Sequence, residues 1–268
     1  MPQVRKSGTA WERRLEDYAF TKGLDGPGWA WEFLRRNDKF LIECRSSRAG
    51  QPIEIKHASG AIYLRPRRKF LRAEAWGLML FPNPKKSANE TPVFWHPDTL
   101  NYSVNATLLH ANDNAGETLS LNDFVCQRVV LVNNRTEHVI VRSAQEGVRL
   151  SLMGQSILFG KCKCVFHIEG LSKVANVAET LRTLTKLRDQ TTTIISHQSQ
   201  FELHLRDYLV ALDGHLAGQS YRDIAEVIYG SDRVKNVWTN ETRFLKEAVR
   251  RAVRRGIQYM EGEYRSLL

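Results

Sequence analysis

The sequence is poor in cysteine. Its 268 residues include four cysteines, and only Cys162 and Cys164 lie close together in the chain. One residue between two thiols is too few for the usual paired ligands of a structural zinc site, and no second ligand pair follows at a matching spacing. We therefore interpret all four as reduced thiols rather than metal ligands or disulfides. This interpretation predicts a cytoplasmic protein without a metal site.

Long apolar segments are also missing. No stretch approaches the roughly 18 consecutive apolar residues that a transmembrane helix requires. Residues 1–14 contain no apolar run of the kind found in a secretory signal. The hydrophobic fraction of 42% nevertheless excludes global disorder. We therefore expect a folded protein that has no membrane partner.

Catalytic patterns are absent as well. His96, His110, His138 and His167 are isolated, and no glycine-rich phosphate loop, His-Glu-x-x-His motif or serine nucleophile elbow is present. Tyr259 follows an arginine-rich segment, as in tyrosine recombinases, but no upstream His-x-x-Arg completes such a site. We therefore expect neither an enzyme nor a cofactor.

Acidic residues are in deficit, and the resulting positive charge is concentrated near the end of the chain. The net charge is +10, which favours an anionic partner. Between residues 242 and 257 there are six basic residues and one acidic residue. At 100° per residue, Leu245, Ala248, Val249 and Ala252 share one side of a helix. The opposite side carries Arg243, Lys246, Arg250 and Arg254, flanked by Arg251 and Arg255 and offset by Glu247 alone.

An ordinary exposed helix mixes charges of both signs, so this pattern favours a DNA-binding helix over a solvated surface. A long helix over 197–217 and a short one over 221–229, capped by Ser220 and ended by Gly230, precede it. The linker before the basic helix has eleven residues, whereas an ordinary helix-turn-helix has three or four. We expect this longer turn to add DNA contacts near the start of the basic helix. The candidates are Arg233, Lys235, Thr239 and Asn240.

The N-terminal part is rich in aromatic residues. The pattern predicts one helix from about residue 10, with Tyr18 on its apolar face, and a second from Trp29 to Arg45. Two helices of this size bury too little surface to be stable alone. We therefore predict an interdomain or partner-binding surface, with ordinary local core as an equally weighted alternative. The residues of this predicted surface are Tyr18, Trp29, Trp31 and Phe33.

The middle of the chain changes character twice. Residues 51–74 include the run RPRRKFLR, which we interpret as a basic connector rather than a second DNA contact because Pro66 interrupts any regular face. From residue 75, WGLMLFPNP predicts a strand and a turn, and the runs 126–133 and 136–142 predict a β-hairpin. The expected fold is α+β. Its segments are a small helical domain over 1–50, the connector over 51–74, a β-rich region over 75–168 and the extended-turn helix-turn-helix domain over 169–268.

Several runs resemble a known proteobacterial family. LRDYLVALDGHLAGQSYRDIAEVIYG, RRAVRRG and EGEYRSLL are similar to an extended-turn helix-turn-helix domain, and GWAWEFLRRN is similar to the small domain that accompanies it. The segments WGLMLFP and PVFWHP between them are also similar to the family. The combination resembles the FseA-type transcriptional activators of integrative and conjugative elements.

The resemblance implies a basic surface that binds DNA, and an opposite surface of the C-terminal domain that packs on the N-terminal domain. It also implies an antiactivator, an acidic homologue of the C-terminal domain that competes for the N-terminal domain. We therefore expect an activator that controls excision and conjugative transfer of a mobile element. Its expected partners are double-stranded promoter DNA, RNA polymerase and such an antiactivator. The alternative is a DNA accessory factor for excision or replication that does not activate transcription.

Overall fold

The computed structural model describes residues 13–47, 52–66, 71–101, 103–111, 117–143, 146–190, 198–238 and 243–268. Contacts divide the chain into two compact units. The helical unit comprises Met1–Lys22 and Gln198–Glu261, and the sheet unit comprises Gly23–His197 and Gly262–Leu268. Each unit is thus assembled from segments that are distant in the sequence.

The elements of both units follow one another along the chain. The helices are α1 (Gly26–Leu34), α2 (Asp38–Ser46), α3 (Leu71–Glu74), α4 (Val174–Arg188), α5 (Gln200–Leu216), α6 (Tyr221–Tyr229), α7 (Ser231–Val237) and α8 (Arg243–Glu261). The strands are β1 (Ile53–Lys56), β2 (Ile62–Arg65), β3 (Ser103–His110), β4 (Gln127–Asn133), β5 (Thr136–Arg142), β6 (Gly147–Gly154) and β7 (Cys162–His167). Helices precede the first strand and follow the last one along the chain, and the strands form a sheet, so the α+β prediction is confirmed. No helix in the described part of the chain is long and apolar enough to cross a membrane.

The seven strands of the described residues form one mixed sheet in the order β1-β2-β4-β5-β6-β3-β7. The pairs β2–β4 and β3–β6 are parallel, and the other neighbours are antiparallel. The hairpin β4–β5 was predicted, and Asn134 in its turn has a φ of 56°, a conformation that asparagine tolerates well. One sheet face packs against Val177, Leu184 and Leu187 of α4 and forms the main apolar core.

The sheet unit also has an aromatic core. Phe40 lies at ring-centroid distances of 5.7 Å from Trp31, 5.4 Å from Trp76 and 5.8 Å from Phe81. The C-terminal residues close this core, because the Tyr264 hydroxyl donates to the Trp76 carbonyl at 3.0 Å. A Cβ added to Gly26 would lie 2.1 Å from the Leu267 carbonyl oxygen, so α1 and the chain end are in close contact.

Three sequence predictions differ from the structure. The helix predicted from Trp29 to Arg45 is two helices, because the side chain of Asn37 caps α2 by accepting from the Phe40 backbone N–H at 3.1 Å. The helix predicted from about residue 10 is a 3-10 helix over Leu15–Thr21 in the described residues. The strand predicted in WGLMLFPNP is wrong, since only Leu78 forms an isolated bridge, to Trp95. The strands β1 and β2, which lie within 51–74, were not predicted.

Candidate nucleic-acid interface

The helical unit is built around the crossing of α5 and α8. A Cβ added to Gly256 would lie 2.6 Å from the Tyr208 carbonyl oxygen and 2.9 Å from Leu212 Cβ. Only glycine permits so close an approach of the two helices at this point. The rings of Tyr208 and Tyr259 stack beside it with centroids 6.3 Å apart. This contact fixes how α8 is presented to solvent.

The short helix α6 packs against α8, and its bounds are those predicted from the sequence. It begins with a capping box in which the Ser220 hydroxyl and the Asp223 carboxylate each accept a backbone N–H. Ile224, Ala225 and Ile228 are buried on its inner face. Gly230 ends the helix with a φ of 87°, in the left-handed region that favours glycine.

The eleven residues between α6 and α8 are not simply a long turn. Seven of them form α7, which starts directly after Gly230. Val234 is completely buried and anchors α7, whereas Arg233 and Lys235 are exposed. The sequence does not predict this helix, because Val234 is the one buried position among residues 231–236 and gives no apolar period.

The amphipathic pattern predicted for α8 is confirmed. Leu245, Val249, Ala252 and Val253 are buried, and Ala248 is partly buried. Four basic side chains point to solvent from the other side of the helix. These are Lys246, Arg250, Arg251 and Arg254.

Few of these cations are neutralised within the protein. Arg250 Nη2 lies 2.7 Å from Glu247 Oε2, in a pair whose two side chains are about half exposed. No carboxylate among the described residues pairs with Lys246, Arg251 or Arg254. Exposed ion pairs contribute little to folding, so a basic face of this kind is available to an anionic partner.

Arg255 differs from its neighbours because its own helix holds it. Its guanidinium lies 4.9 Å from the centroid of the Tyr259 ring and donates to the Tyr259 hydroxyl at 3.2 Å. It also donates to Gln258 Oε1 at 3.1 Å. These contacts orient Arg255 and leave it partly buried, so it is less accessible than Arg251 or Arg254.

A second group of cations converges on Tyr229 at the end of α6. The Arg233 guanidinium of α7 lies 5.8 Å from the centroid of the Tyr229 ring. Burial raises the pKa of Tyr229, with a further contribution from Asp207, while Arg233 and Arg251 oppose that rise. The guanidinium groups of α7 and α8 therefore lie within electrostatic range of the same hydroxyl. Tyr229 was not among the predicted site residues, and its position just before the helix-ending Gly230 is the signal in the sequence.

Three predicted DNA contacts cannot be placed on this surface. Thr239 and Asn240 lie outside the described residues. Arg243 is the first residue of α8, but its side chain is outside the described part of the structure. Arg233, Lys235, Lys246, Arg250, Arg251, Arg254 and Arg255 are therefore the predicted residues whose positions can be compared.

The four residues of the predicted partner-binding surface are all buried. Tyr18 belongs to the helical unit, where its hydroxyl donates to Asp213 of α5 at 2.9 Å. Trp29, Trp31 and Phe33 belong to the sheet unit and are at most 2% exposed. This burial favours local core, the alternative given equal weight from the sequence, and the binding of a partner stays a prediction.

Ionisable side chains elsewhere in the described part of the chain are dispersed. No group of three or more histidine, cysteine, aspartate or glutamate residues in the described ranges could hold a metal ion. Burial raises the pKa of Cys44 to about 12 and that of Cys164 to about 11, so both thiols are protonated near neutral pH.

Comparison with known families assigns both ends of the chain. Residues 166–268 match a family described as "T6SS, Transcription factor, DNA binding domain", and residues 10–81 match one described as "Proteobacterial transcriptional regulator-like domain". The chain carries two domains of transcription regulators. Together they indicate a DNA-binding transcription factor with DNA as its partner, and neither description names a catalytic activity. No curated protein sequence matches the chain.

Proposed function

We propose that this protein is an FseA-type transcriptional activator that binds promoter DNA through the exposed face of α8. The observation that carries the proposal is the set of exposed cations without carboxylate partners, Lys246, Arg251 and Arg254, within the region that matches a DNA-binding domain. Arg250 lies on the same face, one turn from both Lys246 and Arg254.

The proposed contacts fall into two groups. Lys246, Arg250, Arg251 and Arg254 form the main DNA-facing surface, and we place Arg243 with them from its position in the sequence. The flanking contacts are Arg233, Lys235, Arg255, Thr239 and Asn240. The position of Arg233 supports its place among them, because Arg233 and Arg251 both lie within electrostatic range of Tyr229. Basic side chains in such an arrangement bind the phosphate backbone and fix the position of a helix in the major groove.

Binding of the intact chain to a labelled duplex of arbitrary sequence tests the proposal, because phosphate contacts do not depend on sequence. We expect Arg250→Ala/Arg254→Ala to reduce affinity and to make the slope of log K against log salt shallower by about 1.8. The matched control is Arg182→Ala/Lys186→Ala, which removes two cations at the same spacing from α4. Equal affinity and slope for the α8 variant and the unaltered chain would contradict the proposed interface.

The proposed biological role is control of the excision and conjugative transfer of an integrative element. It rests on the combined resemblance of the N-terminal and C-terminal segments to FseA-type activators. A rise in the excised circular junction of a resident element on overexpression, measured by quantitative PCR, would support this role. An acidic homologue of the C-terminal domain is the proposed antiactivator, and RNA polymerase is the proposed partner at the promoter.

Two other roles use the same surface. The description of the matching DNA-binding family refers to T6SS, so T6SS genes are a second candidate set of targets. A DNA accessory factor that does not activate transcription is the other alternative. Footprinting across the genome followed by promoter–reporter assays distinguishes them. Reporter activation identifies an activator and its target genes, whereas DNA bending without activation identifies an accessory factor.

A further inference from the structure

The sheet unit contains a cavity that the DNA-binding role does not use. Its volume is about 290 Å³, and it lies between α4 and the edge strand β7. This volume is at the lower end of the range, roughly 300–1,000 Å³, that small-molecule sites occupy. The lining residues are Glu117, Thr118, Leu119, Cys164, Phe166, Leu181, Leu184, Thr185 and Arg188.

The lining combines apolar and polar side chains, and its apolar part consists of Leu119, Cys164, Phe166, Leu181 and Leu184. Leu119 and Leu184 are buried, and Phe166 and Leu181 are partly buried where they pack against the main core. Burial raises the pKa of the Cys164 thiol to about 11, so the thiol is uncharged and adds to the apolar surface. The cavity opens to solvent, since the lining residues Glu117 and Thr185 are exposed. Its apolar side chains suit an apolar ligand group.

Charged groups lie at one end of the cavity. Arg188 Nη1 lies 2.5 Å from Glu117 Oε1, and Arg188 Nε lies 3.0 Å from Asp189 Oδ1. One cation beside two carboxylates gives a local formal charge of −1, which disfavours an anionic ligand. No described residue accepts a hydrogen bond from Arg188 Nη2. The hydroxyls of Thr118 and Thr185 add further polar groups to the lining.

We propose that this cavity binds a small, uncharged amphipathic molecule. Its apolar body would fill the space beside Phe166, Leu181 and Leu184, and its carbonyl or hydroxyl oxygen would accept a hydrogen bond from Arg188 Nη2. The sheet unit is then a ligand-binding unit in addition to the DNA-binding helices. The inference does not depend on DNA binding, because every lining residue belongs to the sheet unit.

Two probes with the same eight-carbon skeleton test the proposed ligand class on the full-length protein. Octanamide offers an uncharged carbonyl oxygen, and octanoate offers a carboxylate. In titrations followed by the NMR signals of labelled leucine methyl groups, we expect octanamide to shift Leu119, Leu181 and Leu184. We expect octanoate to bind about fivefold more weakly because of the local negative charge. Tighter binding of octanoate, or methyl shifts confined to other leucines, would overturn the proposal.

A variant that fills the cavity tests its position. Leu181→Trp places a large side chain in the cavity, and we expect it to weaken octanamide binding at least tenfold. Val174→Trp adds the same side chain to an exposed position of α4 outside the lining, and it should bind as the unaltered chain does. Undiminished binding by a folded Leu181→Trp protein would contradict the proposed site. If that variant does not fold, the methyl shifts of the unaltered chain decide the question. Absence of octanamide binding at millimolar concentration would also overturn the proposal.

Discussion

The charged side chains of α4 and α8 are arranged in opposite ways. Every charged residue of α4 takes part in an ion pair, whereas Lys246, Arg251 and Arg254 of α8 have no carboxylate partner among the described residues. The charges of α4 are therefore used within the protein, and those of α8 remain available to an external anion. The ion pairs of α4 are Glu179–Arg182, Lys186–Glu146 and Arg188–Glu117.

The sheet unit also contains cations that are paired with carboxylates at buried positions. Glu32 is completely buried and lies 2.6 Å from Arg35 Nε and 3.0 Å from Arg36 Nη1. Arg149 and Asp25 form another pair at 2.5 Å. Burial acts to raise the pKa of the Asp25 carboxyl, but the pKa is lowered because the guanidinium groups of Arg149 and Arg142 lie nearby. The net charge of +10 thus combines structural cations with exposed ones. The structural cations have carboxylate partners within the protein, whereas exposed cations such as Lys246, Arg251 and Arg254 have none among the described residues.

The largest effect is expected at Glu32. Glu32→Ala leaves Arg35 and Arg36 without their buried partner and removes the acceptor of the Ala88 backbone N–H at 2.7 Å. We expect the free energy of unfolding, measured by urea denaturation, to fall by about 3–5 kcal/mol. Glu179→Ala is the matched control, because it breaks an exposed i,i+3 pair and should change stability by less than about 0.5 kcal/mol. Similar losses in the two variants would remove the distinction between buried and exposed charges.

A pH-dependent effect of intermediate size is expected at His138. Burial, with a smaller contribution from His96, lowers the pKa of His138 to about 4. The folded state therefore binds this proton less readily than the unfolded state, whose histidine has a pKa of about 6.5. Stability from this residue is fully present above pH 6.5 and is lost as the pH falls towards 4.

The variant His138→Gln removes that titration and keeps a polar group opposite Ser151 Oγ, which lies 3.1 Å from His138 Nδ1. Between pH 7 and pH 4.5 the unaltered chain should lose about 2 kcal/mol more stability than the variant, as measured by urea denaturation at each pH. His204→Gln, at an exposed position of the helical unit, should leave the pH dependence of the unaltered chain in place. Equal pH dependence with and without His138 would show that its burial does not affect stability.

The elements predicted correctly carry strong local signals. The helix α6 has a capping serine and a terminal glycine, α8 has an apolar stripe of helical period, and β4 and β5 flank a turn-forming asparagine. The elements that were missed lack such signals. All four residues of β1 are exposed, and among residues 231–236 of α7 only Val234 is buried. Asn37, which separates α1 from α2, lies between apolar residues that continue the helical period.

The candidate interface could be predicted only in part for a related reason. The amphipathic period of α8 indicates which side chains face solvent. It does not indicate that Arg255 lies against Tyr259, or that Arg233 and Arg251 share the surroundings of Tyr229, because that proximity depends on how α6, α7 and α8 pack. The burial of Trp29 and Trp31 likewise depends on distant partners, since Trp31 Nε1 donates to the Lys86 carbonyl at 3.1 Å.

The smallest expected effect comes from a pair of variants that compares α8 directly with α4. Glu247→Gln removes the carboxylate that pairs with Arg250 on α8, which frees Arg250 and removes a charge that would repel phosphate. We expect DNA affinity at physiological salt to rise about twofold to fivefold, with stability changed by less than about 0.5 kcal/mol. Glu179→Gln breaks the equivalent i,i+3 pair on α4 and should leave affinity unchanged. Fluorescence anisotropy of a labelled duplex measures both variants. An equal rise in both would mean that net charge, and not the position of α8, controls the binding of DNA.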